Sequence, residues 1–185
     1  MTELEKIRSQ VISCTKCDLC KGRTNAVPGK GNPNAEIIFI GEAPGRTEDL
    51  KGEPFVGVAG KKLTEMLEKN GIPRESVYIT NVVKCRPPNN RVPTESERLA
   101  CREYLEKEIQ LINPKIICIM GNTACTSILG QGEITKNRGK IIKKDGKTFF
   151  LTFHPAATIY NQELIPLMEK DIAALVEALQ KTNDE

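Results

Sequence analysis

Hydrophobic and polar positions along this chain follow two rhythms. Short, nearly uninterrupted apolar runs, AEIIFIG (35–41), SVYITNVVKC (76–85) and KIICIMG (115–121), read as strands, the near-continuous ones buried on both faces. Between them, apolar residues recur at helical spacing. GKKLTEMLEKNG (60–71) sets Leu63, Met66 and Leu67 on one side and stops at Gly71. TESERLACREYLEKEIQLINP (94–114) opens with Thr94 and Glu97, a capping box, and keeps Leu99, Tyr104, Leu105, Ile109 and Ile112 near one face. Residues 5–12 and NTACTSILG (122–130) read as shorter helices. A last helix over about 162–180 has Leu164, Leu167, Met168, Ile172, Leu175, Val176 and Leu179 as its apolar face. Residues 139–153 read as two strands about KDGK, whose Asp-Gly is a strong hairpin signal.

Strands alternating with helices predict an α/β fold, a parallel sheet with helices on both faces. Ligands in such folds bind beyond the carboxyl ends of the strands. Three stretches fall there: GEAPG (41–45), Thr80–Asn81, and HPAA (154–157).

Composition narrows the class. At 185 residues the chain is expected to form one domain, 1–185; it is 39% hydrophobic and 28% charged. No apolar run approaches the ~20 residues that span a bilayer, and MTELEKIRSQ has the character of neither a signal nor a transit peptide. A cytoplasmic location is therefore expected, in which the seven cysteines stay reduced and clustered thiols favour metal binding or catalysis. A net charge of +3 does not argue nucleic-acid binding by itself, and the basic stretches KCRPPNNR (84–91) and KNRGKIIKK (136–144) read equally well as solvated loops.

Nucleotide binding through a phosphate loop is excluded: there is no G-x-G-x-x-G, and near GKK (60–62) Phe55 and Lys62 stand where a glycine and a hydroxyl are required. GEAPG remains a rigid loop with exposed amides beside Glu42, Glu48 and Asp49. His154, the only histidine, sits at a strand end before proline, and Asn81 is a polar amide inside an apolar run. Placed at one edge of one sheet, they suit a planar ligand with hydrogen-bonding edges. In SCTKCDLC (13–20), Cys14 and Cys17 have the C-x-x-C spacing of a metal site. The remaining ligands are not fixed by spacing, and a four-cysteine zinc site and an iron–sulfur cluster both remain open.

Taken together, C-x-x-C, GEAPG-x-x-ED, PFVG-x-AG, TN-x-x-KCRPP-x-NR-x-P, a later cysteine and HPAA resemble the family 4 uracil-DNA glycosylases of bacteria and archaea, in the family's order from about Cys14 to Ala157. The resemblance implies a three-layer α/β/α sandwich with a central, mainly parallel four-stranded sheet. It implies a structural [4Fe-4S] cluster on Cys14, Cys17, Cys85 and Cys101, leaving Cys20, Cys118 and Cys125 as spare thiols. The implied substrate is uracil flipped out of single- or double-stranded DNA. Gly41, Glu42 and Ala43 would contact the base, Phe55 would stack on it, Asn81 would read its Watson–Crick edge and His154 would donate to O2. Glu48, with Glu42 in the same loop, would assist water or the oxocarbenium. Arg86, Arg91 and Arg138 are candidates for the DNA backbone, and Ile159 for the gap left by the flipped base. Hydrolysis without lyase activity is expected, by a monomer; the resemblance leaves a sliding-clamp contact open. The chain departs from many relatives after HPAA, reading TIYNQ where a basic residue is common. A glycosylase for xanthine or hypoxanthine, and a non-enzymatic nucleic-acid-binding iron–sulfur protein, are the competing readings.

Overall fold

A computed structural model describes residues 1–185. Six strands, β1 (Lys30–Gly31), β2 (Ile37–Gly41), β3 (Tyr78–Asn81), β4 (Ile116–Met120), β5 (Ile141–Lys144) and β6 (Lys147–Thr152), form one sheet in the order β1-β3-β2-β4-β6-β5. The inner four are parallel, as expected, and each edge strand pairs antiparallel. The sheet is thus mixed and six-stranded rather than four-stranded. The added edges are β1, a two-residue strand too short to leave a periodic pattern, and β5, the outer arm of the hairpin. Asp145 and Gly146 both take positive φ at its turn, as the Asp-Gly pair requires.

The helices are α1 (Glu3–Ile12), α2 (Leu19–Gly22), α3 (Arg46–Lys51), α4 (Val58–Lys69), α5 (Glu95–Ile112), α6 (Asn122–Leu129), α7 (Ile134–Asn137), α8 (Ala157–Tyr160) and α9 (Leu164–Asn183). α1 packs on α5 and α4 on α9, while every residue of β2, β3 and β4 is buried. Both faces of the sheet are therefore covered, giving the three-layer sandwich. The capping box at Thr94 and Glu97 forms as read. The buried face of α5 differs from the expected one: Leu99 is exposed, and Glu97, Cys101 and Glu108 are buried with Tyr104, Leu105 and Ile112. The two acids can be buried because each has a cation, Arg91 for Glu97 and Lys84 for Glu108.

The run 76–85 is strand only as far as Asn81. Val82 and Val83 still donate to the carbonyls of Gly41 and Glu42, and the chain then leaves the sheet while staying buried through Cys85. GRTEDL, read as an acidic loop, is helix α3, whose first amides Glu48 helps to satisfy by accepting from Gly45 N–H at 3.1 Å.

Candidate active site

Parallel pairing sets Gly41 of β2 directly beside Asn81 of β3. β6 ends two residues before His154, on the same edge of the sheet. A cleft of about 390 Å³ opens there, lined by Glu42, Ala43, Phe55, Asn81, Arg91 and His154 among others. Gly41 lies just below it: a Cβ there would stand 2.5 Å from the Phe55 ring and 2.7 Å from Asn81 Oδ1. The structure thus brings together every residue predicted to hold the base.

Asn81 is 1% exposed, yet its Oδ1 accepts no hydrogen bond from the protein. A buried acceptor in a folded core is normally satisfied, and this one is left open to the cleft. His154 Nδ1 accepts the main-chain N–H of Ala156 at 3.0 Å. That bond puts the ring proton on Nε2, leaving a donor for a ligand. Burial pushes the imidazole pKa down to about 4 from 6.5, the Glu48 carboxylate opposing it, so the ring is neutral near pH 7.

Phe55 closes one wall, its ring centroid 5.5 Å from that of His154. Its backbone is held at φ +52°, a conformation costly for a bulky residue and common where function demands it. Two features enforce it. Arg74 donates to the carbonyls of Pro54 (2.7 Å) and Phe55 (2.5 Å), a clamp that no sequence motif announced. Gly60 lies so close beneath that an added Cβ would fall 1.9 Å from Phe55 O. Gly60→Ala is therefore expected to displace the Phe55 loop and lower kcat/KM for base release by about 10²-fold, as misplacement by an ångström can; steady-state kinetics beside a melting curve check this.

The two acidic candidates separate. Glu48 accepts from Gly45, Val56 and Gly57 N–H at 3.1, 3.0 and 2.6 Å, which makes it the brace between the GEAPG and PFVG loops. Three amides on one carboxylate leave it poorly disposed to activate water. Glu42 accepts only from Thr123 Oγ1, at 2.7 Å, through Oε2, and its Oε1 has no protein partner. At the rim, Arg91 pairs with Glu97, and Arg86 Nε donates to Asn90 Oδ1. Arg138 does not line the cleft; it grips Asp171 through Nε and Nη2 and lies over Phe153. Ile159 is 40% exposed, whereas Tyr160, which sequence reasoning passed over, is 90% exposed and lines the mouth of the cleft. Only its position after HPAA could have singled it out.

A second cavity lies apart from the cleft. Cys14, Cys17, Cys85 and Cys101 line it, with Cys20, Val11, Leu19 and Tyr104. No three of the chain's histidine, cysteine or acidic side chains converge as one metal ion would require. Donors nonetheless point at the sulfurs: Arg23 Nη1 to Cys85 Sγ at 3.3 Å and Lys16 N–H to Cys14 Sγ at 3.5 Å. Burial raises the Cys85 and Cys101 thiols, Cys101 to about 11, so a bound cation is what would make them thiolates. Cys118 and Cys125 are buried elsewhere, in β4 and α6.

Comparison with known proteins points the same way as this geometry. Residues 28–181 match the family model of the uracil DNA glycosylase superfamily. A type-4 uracil-DNA glycosylase of Sulfurisphaera tokodaii is 51% identical over 96% of this chain and 85% of its own. Type-4 uracil-DNA glycosylases of Archaeoglobus fulgidus and Thermotoga maritima are each 47% identical, over 98% and 91% of this chain and 96% and 91% of theirs. With the cleft at the strand ends and these matches spanning nearly its whole length, the chain belongs to the uracil-DNA glycosylase superfamily and, within it, to the type-4 enzymes.

Proposed function

We propose that the protein takes uracil flipped out of DNA and hydrolyses its N-glycosidic bond, releasing free uracil and leaving an abasic site. The observation that carries this reading is the buried, unpartnered Oδ1 of Asn81 facing the cleft. That oxygen accepts from uracil N3–H while the amide NH₂ donates to O4. Cytosine offers no hydrogen at N3 and a donor at position 4, so both contacts fail, at about 1–3 kcal/mol each.

Phe55 stacks on the base, and the missing side chain of Gly41 leaves it room. As the bond breaks, negative charge grows on the base, and His154 Nε2–H donates to O2, worth more as that charge develops. A neutral ring suffices, since it is a hydrogen-bond donor and no proton need be surrendered. Glu42 holds the attacking water through its free Oε1, with Glu48 as brace. The cleft lining holds no lysine, and Lys84, three residues past Asn81, is committed to Glu108, which supports hydrolysis without a Schiff-base lyase step. Arg91 at the rim and Arg86 beside it are offered to DNA phosphates, which position without specifying sequence; Arg138, which does not line the cleft, is not among them.

Cys14, Cys17, Cys85 and Cys101 would suit a [4Fe-4S] cluster: they line one largely apolar cavity with donors on two of the sulfurs, and Cys20, left aside as a spare thiol, lines the same cavity. Bound there, the cluster supplies a tie between the N-terminal segment, the loop after β3 and α5. Cys101→Ala is expected to lose iron and to melt at least about 5 °C lower, measured by iron content and circular dichroism.

The test of function is release of free uracil from uracil-containing single- and double-stranded oligonucleotides, beside cytosine, xanthine and hypoxanthine controls. Uracil release with strand cleavage only after alkali is expected. Absence of any base release, or a borohydride-trapped covalent adduct, overturns the reading.

A further inference from the structure

Outside the cleft, the most deeply buried ion pair in the protein joins Lys84 to Glu108, with side chains 2% and 1% exposed. The Lys84 ammonium has three protons and three acceptors. They are Glu108 Oε2 at 2.7 Å, Thr80 Oγ1 at 2.5 Å and the main-chain carbonyl of Asn81 at 2.7 Å. Glu108 is equally committed: Oε2 also accepts from Thr80 Oγ1 at 2.7 Å, and Oε1 from Gly29 N–H at 3.0 Å and Tyr78 OH at 3.4 Å. At its other end Lys84 lines the cysteine cavity. Its carbonyl accepts from Val27 N–H at 2.7 Å.

Burying such a pair is a poor way to gain stability, since well-packed apolar residues of similar size commonly do as well or better. What an apolar residue cannot do is hold a carbonyl. The carbonyl held here belongs to Asn81, the last residue of β3, beyond which only the amides of Val82 and Val83 still bond to Gly41 and Glu42. We propose that Lys84 is a positioning residue for base reading: anchored by Glu108, its ammonium fixes the Asn81 backbone and so aims the Asn81 amide into the cleft. Because Lys84 also lines the cysteine cavity and Glu108 shares α5 with Cys101, the same contact makes one rigid unit of the cysteine cavity and the base reader.

The proposal rests on the reading of Asn81 given above, and a double-mutant cycle separates the two. Lys84→Met/Glu108→Gln removes both charges while leaving an acceptor for Gly29 N–H and Tyr78 OH. Single-turnover uracil release from single-stranded DNA is measured with this pair in the parent and in Asn81→Ala. In the parent, a loss of about 10²-fold is expected. In Asn81→Ala, a further loss under about 2-fold is expected, because there is no amide left to aim. A purely structural role predicts the same factor in both backgrounds, and that result overturns the proposal, as does an unchanged rate in the parent. Lys84→Gln/Glu108→Gln, which restores a hydrogen-bond donor one bond shorter than the lysine, is expected to recover part of the loss; no recovery in a folded protein counts against the proposal. If Asn81→Ala alone retains full uracil release, the Asn81 reading falls and takes this one with it.

Discussion

Asn81→Ala is expected to lower kcat/KM for uracil release by roughly 10²–10⁴-fold, two buried hydrogen bonds at about 1–3 kcal/mol each. The loss should fall on kcat as well as on KM, since the amide also fixes the base against His154 and Phe55 while the bond breaks. The folded state should tolerate the change, because Asn81 Oδ1 has no protein partner to lose. Asn81→Asp is the sharper control. It keeps the size of the side chain but sets a carboxylate oxygen against uracil O4, so it should be as damaging as alanine. Kinetics on a uracil oligonucleotide, with melting curves for each variant, decide this. An Asn81→Ala enzyme within a few-fold of the parent would remove the central residue from the mechanism.

His154→Ala is expected to cost about 10²–10³-fold in kcat, the usual effect of removing one donor to a developing anion, with a smaller change in KM. The parent should show no break in kcat near pH 6.5, because burial holds the imidazole pKa at about 4. The linked stability has a definite sign. The native pKa lies below that of the unfolded chain, so the unfolded chain takes up the proton first. Stability from this group is present above about 6.5 and is lost as pH falls through about 4. Since the chain has a single histidine, one imidazole signal in a nitrogen-15 NMR titration reads both pKa and tautomer without assignment. A protonated Nδ1, or a midpoint near 6.5, would contradict the geometry.

Much of this site was legible in the chain because it lies at strand ends. Apolar runs located β2, β3, β4 and β6, and the residues just past them, Gly41–Ala43, Asn81 and His154, had to gather at one edge once the strands were parallel. Pairings between distant segments were not legible. Nothing local in GRTEDL says that Glu48 will bind the amides of Val56 and Gly57. Arg74 carried no motif because its partners are main-chain carbonyls, which every residue has. Arg138 sits in a basic stretch that reads as a candidate DNA contact, while its partner Asp171 lies 33 positions away on α9. Leu99 was misplaced on α5 for a related reason, since helical periodicity counts apolar residues and cannot foresee that Glu97 and Glu108 will be buried with cations.

The solitary oxygen of Asn81 has a consequence for the protein at rest. Asn81 Oδ1 has no protein partner and lines the cleft, so the fold draws no stability from it. If Asn81 reads the base as proposed, its buried amide is already set before any DNA arrives, and discrimination against cytosine needs no rearrangement. The base meets an amide that need not turn, and the entropy of aiming it was settled when the chain folded.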